Sequence, residues 1–467
     1  MGKRKINVIS AALIYIVGSF FTQGLRFITL PIFSRMMSTS DFGLYSSYET
    51  WIAMLTVIIG LQTTASIANA YVDYGPLKIR QFVYSVSLTG LISGSIIWAI
   101  LFLFQGLFTA LFEISFLSLS LGIIQCIFTY FFTMLISEYR MLDLPVKYLV
   151  FSIGNSVINV GLAIVFLYHM SSDKYTGRIY ASTLAAFVCG IAAVIIIIKS
   201  ADKKIFDREY IKYAVKLCSP LIFHAFAAIV LGRCDQMMLL KMKSSSESGI
   251  YSYGNNFAHI IYVLYTACNQ AFIPWYYKKL KEKKQRDAIR LSKLYMVLFS
   301  CGFLVFICIL PEVITFISAE EYRNVIYTAP ILSMGFYINF LYTFPVNYEF
   351  YQKKTKYIAM GTVLAACLNA IFNYFLIPYY GGVGAAAATA LSYFVLFIVH
   401  LFVAKKVIKG YEMPMYFFVM ISGVTFLGFL AGYIAIGYFI VRIICGAICF
   451  CGAIVTFLYM KKQIYNH

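Results

Sequence analysis

A few side chains stand where charge or hydrogen-bonding capacity is costly. Arg26, Glu49, Lys216, Arg233 and Asp235, together with Asn255, Asn256 and His259, fall within stretches otherwise rich in Leu, Ile, Phe, Val and Ala. A charged group at the centre of hydrocarbon costs roughly 2.5–3.5 kcal/mol on insertion scales, so it faces a cavity or a partner. A guanidinium is permanently charged and grips phosphate through paired hydrogen bonds. Arg26 and Arg233 therefore suit an anion site, with Lys216 nearer one mouth and Asn255, Asn256 and His259 lining it. Buried carboxylates shift their pKa by several units, which makes Asp235 and Glu49 candidates for exchanging a proton or a sodium ion. The competing reading is structural: Arg26 with Glu49 and Arg233 with Asp235 as pairs, or arginines snorkelling to the interface. His224 and His259 also read as packed histidines on apolar helices.

Other chemistries lack their residues. No GxxxxGK[ST] loop is present, which argues against nucleotide hydrolysis, so no nucleotide or other cofactor is expected and an ion gradient is the natural drive. The eleven cysteines contain no zinc-type CxxC pair and read as packing residues, so neither a metal site nor a disulfide framework is expected.

The elements that must position these groups are membrane helices. Of 467 residues, 61% are hydrophobic and only 12% are Asp, Glu, Lys or Arg, against about a quarter charged in a soluble domain. Apolar runs of about 20 residues, enough to cross a bilayer, predict fourteen spans near 8–33, 42–66, 82–104, 114–136, 148–169, 178–198, 213–240, 250–277, 292–317, 327–350, 358–378, 381–404, 415–437 and 439–460. Two separations rest on single turn signals, Tyr380-Gly381-Gly382 and Ile436-Gly437, so twelve or thirteen spans stay open.

The net charge of +19 would suit a nucleic-acid partner in a soluble protein. Its distribution argues otherwise. With the amino terminus inside, 28 Lys and Arg fall in or at the edges of inside loops and tails, seven in or at the edges of outside loops (Arg35, Lys174, Arg178, Lys241, Lys243, Arg323 and Arg442) and three in the interior of spans. That asymmetry places both termini in the cytoplasm of a multi-pass membrane protein and leaves no role for nucleic acid. The basic loop at 278–293 is chiefly orientation-setting and could also touch anionic lipid headgroups.

An internal repeat organises the spans. DFGLYSSYE at 41–49 returns as ESGIYSYGN at 247–255, an offset of 206 residues. Asn155-x3-Asn159 and Asn369-x3-Asn373, each following a Lys-Tyr pair (Lys147-Tyr148 and Lys356-Tyr357), echo it. The offset equals six spans, so the halves enter the membrane in the same sense, as in parallel-repeat transporters. The expected fold is all-α and polytopic: an N-lobe of spans one to six (1–200), a C-lobe of spans seven to twelve (201–404) around a central cavity, and two appended spans with a cytoplasmic tail (405–467).

The stretch from Gly24-Leu25-Arg26 to Pro31, Arg35, DFGLYSSY, RCDQMMLLKM at 233–242, ESGIYSYGNN, and LNAIFNYFLIPYYGGVGAAAATALSYF at 368–394 carry a family likeness. The whole chain resembles the polysaccharide flippases, Wzx-like, of the multidrug/oligosaccharidyl-lipid/polysaccharide exporter superfamily. The resemblance implies movement of an undecaprenyl-pyrophosphate-linked oligosaccharide from the cytoplasmic to the outer leaflet of a bacterial cell membrane by alternating access. It also implies a passage lined mainly by spans one, two, seven and eight. The partners it implies are the lipid-linked oligosaccharide, membrane lipids and other membrane proteins of polysaccharide assembly.

Alternatives remain. A drug or cation antiporter of the same superfamily predicts an acidic cleft, whereas the charges here are mixed and include two arginines. A lipid II flippase carries the same pyrophosphate. A membrane-embedded glycan polymerase usually needs a sizeable extramembrane loop with catalytic carboxylates, and the longest loops here are about fifteen residues, without such a cluster.

Overall fold

The computed structural model describes Gly18, Phe21, Gly24, Leu25 and residues 27–201, 206–408 and 410–465, apart from the side chains of His224 and 459–465. Among the described residues there is no strand. The helices are α1 (Leu30–Met36), α2 (Thr39–Ile58), α3 (Ile67–Leu103), α4 (Gln105–Phe112), α5 (Phe116–Met141), α6 (Pro145–His169) and α7 (Lys174–Ser200). They continue as α8 (Arg208–Met242), α9 (Ser245–Lys281), α10 (Gln285–Ile317), α11 (Val325–Tyr351), α12 (Thr355–Phe402), α13 (Met415–Ile434) and α14 (Phe439–Tyr465). Every expected span after the first has its helix, and the chain is an all-α polytopic membrane protein.

Both thin turn signals mark real breaks. α12 is broken at Gly381, where φ is 53° and ψ −132°, a conformation that disfavours a Cβ. The 3-10 turn Ala435–Gly437 separates α13 from α14. α3 contains a third break at Gly75, φ 78° and ψ 171°, directly before Pro76. Proline lacks the amide hydrogen that a continuous helix needs and suits the first turn of the helix that follows.

Ten helical stretches among the described residues are long and apolar enough to cross a membrane. α2 and α9, which begin with the two copies of the repeat, are not among them. Their Ser and Tyr content, with Asn in α9, suits a protein interior or a wet cavity better than lipid.

The chain forms two compact units, Met1–Arg233 and Cys234–His467, with α8 passing through the boundary. In the first, α5 packs against α2, α3 and α7, and α6 against α7. In the second, α11 packs on α9 and α12, while α13 and α14 attach to α10.

The repeat is built in the same way in each unit. Ser38 Oγ accepts from the Asp41 backbone N at 3.1 Å, and Ser244 Oγ from the Glu247 backbone N at 3.1 Å, so each motif opens with an N-capping serine and an acid in the first turn. Each acid also reaches a later helix. Asp41 Oδ1 accepts from the Tyr175 backbone N at 3.2 Å, at the start of α7. Glu247 Oε1 accepts from the Gly382 backbone N at 2.8 Å, at the restart of α12. Both links join the repeat motif to the sixth span of its own lobe.

The first unit contains a test of packing. Gly60 has φ +78°, and a Cβ there would lie 2.1 Å from the Tyr130 ring. The Tyr130 hydroxyl bonds Thr63 Oγ1 at 2.7 Å and Thr89 Oγ1 at 2.9 Å, which pins the ring in place. Gly60→Ala is expected to cost about 1–2 kcal/mol for the left-handed backbone and about 1–3 kcal/mol for overpacking. Gly106→Ala, where a Cβ meets nothing within 4 Å, should be neutral. Thermal unfolding of both variants in detergent checks this, and equal midpoints would refute it.

Arg442 is not the outside-loop residue that the charge count made it. It lies in the first turn of α14, only 3% exposed, with Nη2 2.5 Å from Glu312 Oε1 and Nη1 2.6 Å from Glu312 Oε2 on α10. It also donates to the Cys308 and Ala435 carbonyls. A guanidinium forks onto a carboxylate in this way at little geometric cost, and the contact fastens the appended helices to α10.

Candidate functional site

Arg26 lies outside the described residues, so the site is built from the remaining candidates. Arg233 and Asp235 sit two residues apart on α8, roughly 200° around the helix from one another, and they meet different surroundings. Arg233 Nη1 is 3.5 Å from Glu49 Oε2 on α2, with the two side chains 29% and 33% exposed. The expected pairing of Arg233 with Asp235 is thus replaced by one with Glu49. A single long contact at this exposure is worth under about 1 kcal/mol, which holds Arg233 in position while leaving it exchangeable.

Asp235 is 4% exposed and centres a polar network of the second unit. Its carboxylate accepts from the Tyr251 hydroxyl on α9 and from Thr389 Oγ1 on α12, the latter at 3.2 Å. Asn369 Nδ2 donates to Thr389 Oγ1 at 3.3 Å, and Asn373 Nδ2 donates to Asn369 Oδ1 at 3.0 Å. Asn369 and Asn373 are one turn apart, which puts them on one face, and both are fully buried. Asn373 Oδ1 is buried without a hydrogen-bond partner among the described residues, an unsatisfied acceptor that costs about 1–3 kcal/mol unless something approaches it. The carboxylate, with hydroxyl and amide oxygens beside it, presents oxygen donors of the kind that a proton or a hard cation takes. Among the described residues no group of three or more His, Cys, Asp or Glu could hold a metal ion.

The equivalent positions of the first unit carry no charge, and a cation stands near them. At the offset of 206, Asp235 corresponds to Thr29, Tyr251 to Tyr45 and Thr389 to Thr183. Arg178 of α7 donates to Asn159 Oδ1 at 2.8 Å and lies over the Phe33 and Tyr45 rings, 4.6 and 5.1 Å from their centroids. A fixed guanidinium stands beside the repeat motif in one unit, and an acid in the other.

The other candidates are placed as follows. Lys216 is exposed on α8 and Asn255 half-buried on α9. Asn256 Nδ2 donates to the Ser252 carbonyl of its own helix at 2.9 Å. His259 stacks on Tyr262, with ring centroids 4.8 Å apart, and meets Phe336 edge-on at 5.9 Å. The charge list from the sequence missed the part of Tyr251 and Thr389 in the network. Tyr251 lies within the nine-residue core of the repeat, and the same offset extended beyond it pairs Thr183 with Thr389.

The sequence pattern of a family described as polysaccharide biosynthesis protein matches residues 8–280. An uncharacterized membrane protein of Haemophilus influenzae is 25% identical over 377 residues, 78% of this chain and 89% of that one. The Lsg locus putative protein 1 of the same organism is 23% identical over 408 residues, 83% and 98% of the two chains. Among solved structures, the lipid II flippase MurJ in an inward closed conformation aligns with TM-score 0.74 at 14% identity, over 97% of this chain and 100% of that one. An inward-facing multidrug resistance MATE family transporter of the MOP superfamily aligns with TM-score 0.66 at 13% identity, over 89% and 98%. At these identities the structural likeness speaks to the fold.

Proposed function

Because the chain belongs to the polysaccharide biosynthesis protein family, we propose that it is a flippase for a lipid-pyrophosphate-linked oligosaccharide of the undecaprenyl type. It carries the headgroup from the cytoplasmic to the outer leaflet of a bacterial cell membrane, with both termini in the cytoplasm, by alternating access driven by an ion gradient. The observation that carries this reading is the contrast along α8, where an exchangeable arginine precedes a buried carboxylate by two residues. A pyrophosphate needs fixed positive charge to leave water, and Arg233 supplies it, together with Arg26 and with Lys216 at the mouth. A driving ion needs a separate acid whose charge is felt inside the lobe, and Asp235 supplies that.

The cycle follows from these roles. The pyrophosphate takes Arg233 from Glu49, exchanging a weak contact for a doubly hydrogen-bonded one. Binding or release of a proton or sodium ion at Asp235 changes the hydrogen bonds to Tyr251 and Thr389, and so the mutual packing of α8, α9 and α12. No nucleotide enters, and the glycan is carried unaltered, as befits a transporter rather than an enzyme.

Deleting the protein is expected to remove a surface polysaccharide and to strand lipid-linked repeat units in the cytoplasmic leaflet. Re-expression of Arg233→Ala should restore less than about a tenth of export at normal membrane abundance, since a lost charge-assisted contact is worth about 1.5–3 kcal/mol. Arg233→Lys should restore part of it. Full export by the alanine variant would remove Arg233 from the site. Rescue of cells depleted of their lipid II flippase would instead assign lipid II as the cargo.

A further inference from the structure

A second buried acid lies in the Cys234–His467 unit, paired with a histidine. Glu349, in the last turn of α11, and His400, at the end of α12, are both 0% exposed. His400 Nδ1 is 2.9 Å from each carboxylate oxygen of Glu349. His400 Nε2 is buried with no hydrogen-bond partner among the described residues. A Cβ on Gly361 would fall 2.3 Å from that nitrogen, so a glycine leaves the ring its room. Eleven residues separate His400 from Thr389, roughly 16 Å along the helix, which sets this pair apart from the Asp235 network.

The proton count of such a pair is constrained. With one proton shared, as imidazolium and carboxylate or as imidazole and carboxylic acid, the pair is neutral overall. Losing that proton leaves a net negative charge inside the lobe, and gaining another leaves a net positive one, both penalised by burial. The packed state therefore holds one proton, and giving it up requires water to reach the pair. Nε2 points the same way, because any state that hydrates the ring satisfies a nitrogen left unsatisfied in the packed one.

Among the described residues, the groups shown directly against the pair are uncharged. The Tyr342 ring of α11 stands edge-on to the imidazole, with centroids 5.1 Å apart, and the first half of α12 presents Gly361. The basic groups lie in the adjoining turns: Lys353 and Lys354 before α12, with the Lys354 backbone N donating to the Glu349 carbonyl at 2.9 Å, and Lys405 and Lys406 after it. Tyr411 lies beyond them against Tyr348, at 5.3 Å between centroids.

We propose that Glu349 and His400 form a proton-binding site that adds a proton-coupled step to the cycle. The pair carries one proton while α11 and α12 are packed at this end. When water enters, that proton passes to a water molecule and leaves a carboxylate and a neutral imidazole; reloading takes one proton back from water. The coupling to transport rests on the flippase reading above, whereas the proton site itself does not.

The test is infrared difference spectroscopy of the full-length protein in phosphatidylcholine vesicles, stepped between acidic and alkaline buffer. A carboxyl-carboxylate transition is expected in the wild type, absent in Glu349→Gln and displaced in His400→Gln. Glu349→Asp keeps the acid and should move the transition if the glutamine variant misfolds. In cells, Glu349→Gln and His400→Gln should lower proton-gradient-driven export at least tenfold and flatten its pH profile, at normal abundance. A wild-type spectrum without a transition belonging to Glu349, or full proton-driven export by both variants, would overturn the proposal. A Glu349 transition in a protein that exports no lipid-linked oligosaccharide would overturn the flippase reading and leave the proton site standing.

Discussion

Asp235→Asn is expected to lower gradient-driven export on the order of 100-fold while membrane abundance stays near wild type. The substitution preserves shape and leaves an oxygen for Tyr251 and Thr389 to donate to. What it removes is the formal charge of the network. At a distance of about 4 Å and an effective dielectric of 20, one charge is worth about 4 kcal/mol to a bound cation, so a loss of 100-fold, about 2.7 kcal/mol, is a conservative expectation. Export measured under an imposed sodium gradient and, separately, under an imposed proton gradient identifies the ion. Thr389→Val should act in the same direction with a smaller effect, because it removes a neutral oxygen. If Asp235→Asn transports with an unchanged ion dependence, the drive does not pass through this network.

A large effect on stability is also expected at Glu312. Glu312→Ala leaves the Arg442 guanidinium buried with two carbonyl contacts and no counter-charge among the described residues. Breaking a buried pair from one side costs about 3–5 kcal/mol. The Glu312 side chain is 39% exposed, so about 2–3 kcal/mol is expected. Replacing both partners, Glu312→Leu with Arg442→Met, should recover much of that loss, because no charge is left stranded. Thermal unfolding in detergent, with proteolysis to follow detachment of α13 and α14, distinguishes the two variants. If the single and double variants unfold together, Arg442 does not hold the appended helices.

Much of the architecture was legible in the residue order because bilayer thickness, helix rise and turn chemistry are local constraints. Apolar runs of bilayer length located the spans. Gly381 and Gly437 marked breaks at places where apolar content alone suggested continuous helix. The repeat was legible in the same way, since Ser38 with Asp41 and Ser244 with Glu247 are helix starts written in adjacent residues. The loop assignment of Arg442 failed for the same reason: counting charges beside spans says nothing of whether a partner 130 residues away turns a loop residue into a buried one.

The site divides along the same line. The types and positions of Arg233, Asp235 and Glu49 announced unusual chemistry in a chain that is 61% hydrophobic, because hydrocarbon makes every charged side chain expensive. Which of them meet was decided by tertiary structure alone. Arg233 and Asp235, two residues apart, diverge because a helix turns about 100° per residue. Asp235 and Thr389 meet across 154 residues because α8 and α12 belong to one packed unit. Glu349 and His400, each unremarkable in its own stretch, become a proton site only because folding excludes water from both and leaves them facing one another.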